Sequence, residues 1–520
     1  MYSEMFIDAR KLPQDSRLTA DLAIVGAGPA GITLARSMIG HAARVCLIEA
    51  GGTAFDGPTQ ALYEGENVGI EYPLVGSRLR YFGGSSNHWG GWCLTLRPID
   101  LEERDWLPGS GWPLSFDELQ RYHEAASVIV EVSPARFYDR VYWQEKTGED
   151  LREMPSGRMD LAFIQFSPPT RFGQRYGDEL KAAANIDVLL NANVTKVGAT
   201  RDGQSVRHLD IVTLSGLRHR VEAKAFVLAT GGLENPRLLL LSNDVVPAGL
   251  GNQHDLVGRY FMEHPHLTGL GEVVVPNIDR LPRVYWRPQH VDGQSAYASF
   301  VPSDAFLRQK RLQSIQFTLG YRSGYRKGEA HGNPDVGAKH LDMLAASSQF
   351  TGDGRPGNEE WLGAWLVLGC ACEQAPNPDS RIMLADERDA LGLRKIRLDW
   401  RLSETDRHSV AGHLKNMAME IGALGMGRMR IDGDASKYWP SVVRGGSHHM
   451  GTTRMHDDPN RGVVDRNCKV HGIDNLYLAG GSVFPTSGAA NPTLTIVALT
   501  LRLADHLKSR GICNDHNEKA

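Results

Sequence analysis

The sequence predicts an α/β fold built on a Rossmann-type dinucleotide-binding domain. Three observations predict it. Near the N-terminus an apolar run, residues 21–25 (DLAIV), meets the turn Gly26-x-Gly28-x-x-Gly31 and then a helix-like stretch, ITLARSMIG. A second apolar run, residues 44–48 (RVCLI), ends in Glu49, eighteen residues beyond Gly31. Late in the chain a strand-like run, residues 475–479 (NLYLA), leads through Gly480-Gly481 to a helical stretch from about Pro492 to Lys508.

Each element has a physical reason. Gly26 permits the tight turn, Gly28 lets the backbone approach a pyrophosphate, and Gly31 allows the helix to pack closely on the strand. The helix N-terminus faces the negative charge, and Glu49 can accept hydrogen bonds from ribose hydroxyls. Glycine-rich turns recur by chance in a chain with 56 glycines, but here strand, turn, helix, strand and acid follow in order. The fingerprint does not separate NAD from FAD. The C-terminal unit helps, because its helix carries Leu494, Val497, Leu501 and Ala504 at helical spacing, with Pro492 just inside its start. If that helix returns to the same site, its N-terminus offsets charge developing on a reduced isoalloxazine. A simple nicotinamide enzyme has no evident need of it.

Composition bounds the rest. A chain of 520 residues suggests two to four domains, at roughly 150 residues each. The net charge of −4 removes the electrostatic reason to expect nucleic acid or a polybasic membrane surface as partner. Six scattered cysteines do not make a disulfide framework, and Cys370-Ala-Cys372 lacks the two-residue gap of a zinc or redox motif. Its apolar setting from Trp365 reads as a buried strand, and no metal site is expected. The first residues carry Glu4, Asp8, Arg10 and Lys11 and no apolar core, so no signal peptide is expected. No window reaches the roughly 18 apolar residues of a transmembrane helix, which makes the cytoplasm the default location.

Several further segments stand in a telling order: Gly83-Gly-Ser-Ser-Asn-His88-Trp89-Gly90-Gly91, Ser110-Gly-Trp-Pro113, Gly231-Gly-Leu-Glu-Asn-Pro-Arg237, and Asp255-Leu-Val-Gly-Arg259 with Glu263-His-Pro-His266. They continue with Asn377-Pro-Asp-Ser-Arg381, His448-His-Met-Gly-Thr452 and Asn491-Pro-Thr-Leu-Thr495. With the fingerprint, these motifs make most of the chain resemble the glucose–methanol–choline (GMC) oxidoreductases, and within them the sugar-oxidising, pyranose 2-oxidase-like branch with its bacterial relatives.

The resemblance implies a discontinuous, Rossmann-type FAD-binding domain formed by residues 17–110, 181–265 and 445–512. Residues 111–180 are then a connecting, substrate-side segment, and residues 266–444 an inserted α+β substrate-binding domain. It implies FAD contacts at Gly26, Gly28, Gly31, Glu49, Gly84, Ser85, His88, Trp89, Gly90, Val194, Gly480, Gly481 and Thr493. In part of the family the histidine matching His88 is bonded covalently to the flavin. Here Gly90-Gly91 depart from that pattern, so covalent attachment is possible but not favoured, and otherwise His88 lines the flavin pocket.

Oxidising an alcohol needs a base near neutral pKa at hydrogen-bond distance from the hydroxyl, and histidine suits that role. The family places the base at the first position of its His-x-x-Gly-Thr segment, which is His448, and its partner at Asn491. Asn491 would orient the alcohol oxygen, since a neutral amide cannot act as a base. His449 is the rival, because adjacent side chains of an extended segment point opposite ways. A purely structural role for both histidines stands beside it. The implied reaction converts a sugar or glycoside hydroxyl to a carbonyl, with hydride to flavin N5, the proton to His448, and reoxidation by oxygen or another electron acceptor. The alternatives are a nonsugar alcohol (an aminocyclitol natural product or a sterol), a nicotinamide-dependent dehydrogenase, and a noncatalytic protein on the same scaffold.

Other segments invite weaker readings. His264-Pro-His266 suggests a metal pair, but no third ligand cluster is near, and a structural or active-site-wall role is the expectation. Arg454 and His456 read as a solvated charged loop rather than pocket residues. Trp89, Trp92, Trp106 and Trp112 read as core, with one or two free to stack on sugar or flavin. Residues 323–360, with seven glycines, read as a lid or an ordinary surface insertion. The sequence assigns no oligomeric state.

Overall fold

The computed structural model describes residues 6–326, 361–431 and 443–511. Most of the candidate lid, residues 327–360, lies outside the described residues; residues 323–326 end the strand Ile315–Arg326.

The expected α/β core is present as an eight-stranded sheet. Its order is Phe6–Asp8, Ile186–Leu190, Val45–Ile48, Ser16–Val25, Arg218–Leu228, Val206–Val212 and Asn193–Ala199, with Leu476–Leu478 also paired to Arg218–Leu228. The central strands run parallel. Leu22 to Val25 and Val45 to Ile48 are buried without alternation, as strands covered on both faces must be. Register fixes where the site falls: Val25 pairs with Ile48 and with Leu228, and Leu228 pairs with Leu478. The carboxyl ends of four strands therefore finish level, at the edge where ligands bind in open parallel sheets.

Two helices meet over this edge. The fingerprint helix, Pro29–Ser37, packs on the C-terminal helix, Pro492–Ser509. The C-terminal helix buries a broader stripe than the spacing alone indicates. Leu494, Val497 and Ala504 are inside, joined by Leu499, Leu503 and Leu507, whereas Leu501 is half-buried.

A second, nine-stranded antiparallel sheet has the order Arg428–Ile431, Pro265–Val275, Trp361–Cys372, Ile315–Arg326, Gln294–Pro302, Met159–Phe166 and Trp92–Cys93. Gln289–Val291 and Val443–Gly445 attach at its sides. The helix Glu404–Ala423, started by a capping box between Ser403 and Asp406, belongs to this half. Phe6–Asp8, ahead of residue 17, thus joins the first sheet, while Trp92–Cys93 and Met159–Phe166 join the second. Each half has its own apolar core, the first around Ile24, Val227 and Leu478, the second around Phe163, Phe317 and Trp400.

Candidate active site

The fingerprint turn is shaped by crowding. Gly26 sits at φ +98°, and a Cβ there would lie 2.7 Å from the Ala229 carbonyl oxygen. A Cβ on Gly31 would fall 1.8 Å from the Gly26 carbonyl oxygen, so helix and turn touch backbone to backbone. Glu49, at the end of its strand, accepts the N–H of Ala27 at 2.9 Å and that of Gly51 at 3.0 Å. Burial pushes its pKa up, while these hydrogen bonds pull it down. The carboxylate thereby stitches the second strand to the turn and keeps lone pairs for a ribose.

A cavity of about 700 Å³ opens at this edge, within the 300–1,000 Å³ that small-molecule and cofactor sites occupy. Gly26, Gly28, Glu49 and Val194 line it from the first sheet, and Gly84, Ser85, His88, Trp89 and Gly90 from the following segment. His448, Gly480, Gly481, Asn491 and Thr493 line it from the C-terminal part. Of the residues the resemblance marks, only Gly31 stays behind the wall, in the helix–turn packing. Trp92 also reaches the cavity. Trp112 is buried, its indole N–H donating to the Thr486 hydroxyl at 2.8 Å, and Trp106 donates to the Leu312 carbonyl at 3.1 Å.

The cavity suits a dinucleotide with a flavin. Three helices begin at its wall, at Gly28, Thr230 and Asn491, and none has a side-chain cap, so their first N–H groups stay free for a ligand. A Cβ on Gly84 would sit 2.9 Å from the Gly28 Cα, so two bare backbones meet there. Buried polar atoms without a partner also belong to lining residues: Arg80 Nε, His266 Nε2, His449 Nε2 and Asn491 Oδ1. The Gly28 turn would hold the pyrophosphate, Glu49 the ribose, and the Asn491 helix start the isoalloxazine.

A charge cluster that sequence reading missed closes another part of the wall. Glu234 takes Arg78 at 2.8 Å and Arg237 at 3.2 Å, with Arg80 at 3.8 Å, and Arg237 reaches Asp389 at 2.7 Å. Burial opposes the ionised Glu234, but the arginines outweigh it and bring its pKa down to about 2. Within this cluster three guanidiniums meet two carboxylates, and Glu49 on the same wall brings the lining carboxylates to three.

The histidines converge at the second sheet. Glu263 and His264 immediately precede the strand Pro265–Val275, whose first residues pair with Val443–Gly445, and this brings the segment 446–449 over them. The Glu263 carboxylate accepts the backbone N–H groups of His264 (3.0 Å), Gly446 (3.0 Å) and His448 (2.8 Å), and also the Tyr72 hydroxyl. Burial pushes its pKa up to about 7 against these four donors. His448 Nδ1 lies 2.9 Å from His264 Nδ1, and the His266 ring stands 5.8 Å from the His448 ring. Burial, with His264, His266 and His449 adding to it, lowers the His448 pKa well below the usual histidine value. His449 turns into an aromatic box, edge-on to Tyr72 at 5.5 Å and stacked on Phe261 at 6.4 Å, and burial brings its pKa down to about 3.

Among the described residues no group of three His, Cys, Asp or Glu is placed to hold a metal ion. Instead His264 is committed to His448. Arg454 departs from the solvated-loop expectation. It is buried, with its guanidinium 4.4 Å over the Tyr260 ring and donating to the Gly109 carbonyl, whereas His456 is half-buried. The only sequence signal for the Glu263 clamp was the Glu-His-Pro-His motif, and nothing near Tyr72 pointed to its part.

Level parallel strands, a glycine fingerprint and a histidine facing the same cavity define a dinucleotide-dependent oxidoreductase with an inserted second sheet. Residues 376–500 match the family model described as GMC oxidoreductase, and over that stretch the chain is similar to that family. It is 25% identical to a 2-methyl-1,2-propanediol dehydrogenase of Mycolicibacterium austroafricanum, over 94% of this chain and 95% of that one. It is 26% identical to a C-glycoside 3-oxidase of Microbacterium trichothecenolyticum, over 94% of this chain and 96% of that one. The fold resembles that of a pyridoxine 4-oxidase from Mesorbium loti, with TM-score 0.54 and 19% identity over 94% of this chain and 99% of that one. No helix among the described residues is long and apolar enough to cross a membrane.

Proposed function

We propose that the chain oxidises a hydroxyl of a sugar or glycoside to a carbonyl, with His448 as the base and Asn491 as the residue that orients the oxygen. The observation that carries this reading is that both residues line the cavity of the dinucleotide fingerprint, with the Asn491 Oδ1 lacking any partner in the protein. FAD, when bound, supplies the acceptor for the hydride leaving the alcohol carbon.

The rest is the work of this chain's side chains. Burial keeps His448 neutral at pH 7, so it has a lone pair for the hydroxyl proton. Asn491 can donate an amide N–H to the same oxygen and hold it against the base, since the hydroxyl's one proton is committed to His448. The C-glycoside 3-oxidase relative favours a glycoside, whose other hydroxyls would meet free wall atoms such as His266 Nε2. The propanediol dehydrogenase relative favours a nonsugar alcohol as the second reading.

Reoxidation by oxygen or another electron acceptor completes the turnover. A cytoplasmic location accords with the five described cysteines, all of them free. FAD is held without a bond to His88, so denaturation should leave the flavin in solution; colour that stays with the polypeptide would refute that part. The main test is anaerobic mixing of the FAD-loaded protein with monosaccharides, glycosides and simple diols, read as bleaching of the flavin. Sugars or glycosides should bleach it fastest, whereas a response to diols alone favours the second reading. His448→Ala that keeps its flavin and is still reduced at the wild-type rate would rule out the base assignment.

A further inference from the structure

We propose that His264 is a positioning residue that fixes the tautomer of His448, so that the proton sits on His448 Nδ1 and the lone pair on Nε2 is left for the substrate. The proposal rests on the reading of His448 as the base and adds a residue to it.

The argument is a count of donors and acceptors along one line. His264 Nε2 lies 3.3 Å from the Ser487 carbonyl oxygen. A carbonyl only accepts, so that nitrogen carries a proton. A neutral imidazole has a single N–H, which makes His264 Nδ1 an acceptor. Its partner at 2.9 Å is His448 Nδ1, which must therefore be the donor. Nδ1–H on His448 leaves Nε2 unprotonated, the state a base needs.

The alternative, a protonated His264 donating from both nitrogens, would put the His448 proton on Nε2 and disable the base. Burial stands against it, with His266 adding to it and the Ser487 and Gly488 carbonyls and Asp100 opposing it only in part, and brings the His264 pKa down to about 4. The titratable neighbours of the His448 ring are His264, His266 and His449. Glu263 meets its backbone N–H, and Tyr72 meets Glu263 in turn. None of these offers the His448 ring a competing acceptor at hydrogen-bond distance.

The same contact has a second effect. Once His448 takes the substrate proton, its Nδ1–H donates as part of a cation, and such bonds are about twice as strong as neutral ones. A neutral His264 thus stabilises the protonated base by accepting its Nδ1–H, whereas only a charged His264 adds to the burial that lowers the His448 pKa.

The test uses two near-isosteric substitutions in the FAD-loaded protein. Leucine and asparagine share a branched shape, but only asparagine can place an acceptor oxygen near the former Nδ1. His264→Leu should slow anaerobic flavin reduction by about 10- to 100-fold, the usual effect of removing a group that orients a functional histidine. It should also move the acid limb of the rate's pH profile to lower pH. His264→Asn should recover most of the rate and restore the limb. Equal rates and equal profiles for the two variants would overturn the proposal. Should His264→Leu fail to hold FAD, ¹H–¹⁵N correlation of the wild-type ring, assigned by difference from His448→Gln, decides the matter. The Nδ1–H tautomer is expected, and an Nε2–H tautomer overturns the proposal. Loss of reduction in His448→Ala, with the Leu and Asn variants alike, defeats the His264 role alone. Retained reduction in His448→Ala defeats the base reading itself.

Discussion

The carboxylate of Glu263 accepts the backbone N–H of His448 at 2.8 Å, and through that bond the second sheet holds the candidate base in place. The same carboxylate takes three further donors, from His264, Gly446 and Tyr72. An amide in its place has one accepting oxygen and turns an NH₂ toward N–H groups. Glu263→Gln should therefore destabilise the protein by about 1–3 kcal/mol for each donor left unmatched. Urea unfolding of the FAD-loaded protein measures this, and a variant as stable as wild type would show that the clamp contributes nothing.

Gly446 lies where two histidine rings meet. A Cβ there would stand 2.8 Å from His266 Nε2 and 3.0 Å from His448 Nδ1. Gly446→Ala must displace one ring, and a small misplacement of a reacting group costs on the order of 10- to 100-fold in rate. Flavin reduction should fall by that amount while bound flavin per chain stays unchanged. Full activity in this variant would mean that the His448 ring has more freedom than the contacts indicate.

His413 gives a pH dependence with a definite sign. It is buried, its Nε2 lies 2.8 Å from the Gln313 carbonyl, its Nδ1 has no partner, and burial brings its pKa down from 6.5 to about 4. Between those values the unfolded chain binds a proton that the folded one does not. The contribution to stability is thus fully present above pH 6.5 and is lost as pH falls toward 4, at up to about 1.4 kcal/mol per pH unit. Glutamine can keep the hydrogen bond without the titration. In His413→Gln, stability should decline less steeply from pH 6.5 to 4, as read by urea unfolding at a series of pH values. An unchanged slope would remove His413 from the account.

Local features carried much of this into the sequence. The fingerprint is legible because the turn, the helix start and the acid stand at fixed short spacings, each forced by a steric or electrostatic need. The C-terminal strand–Gly-Gly–helix unit is legible for the same reason. Its apolar stripe was read too narrowly, since a helix packed on two sides buries more than one face. Arg454 was misread because charge alone does not reveal an aromatic ring and a carbonyl waiting in the interior.

The sequence by itself determined the dinucleotide turn and the acid at 49, both set by neighbours within a few dozen residues, whereas His448 was marked only by the family resemblance. Only the tertiary structure brought His264 to His448, 184 residues away. It alone brought Tyr72 to Glu263 across 191 residues. The physical reason is that a hydrogen bond depends on position to within a fraction of an ångström. Such positions are set by how two sheets stack, and the pattern of residue types along a chain does not record it.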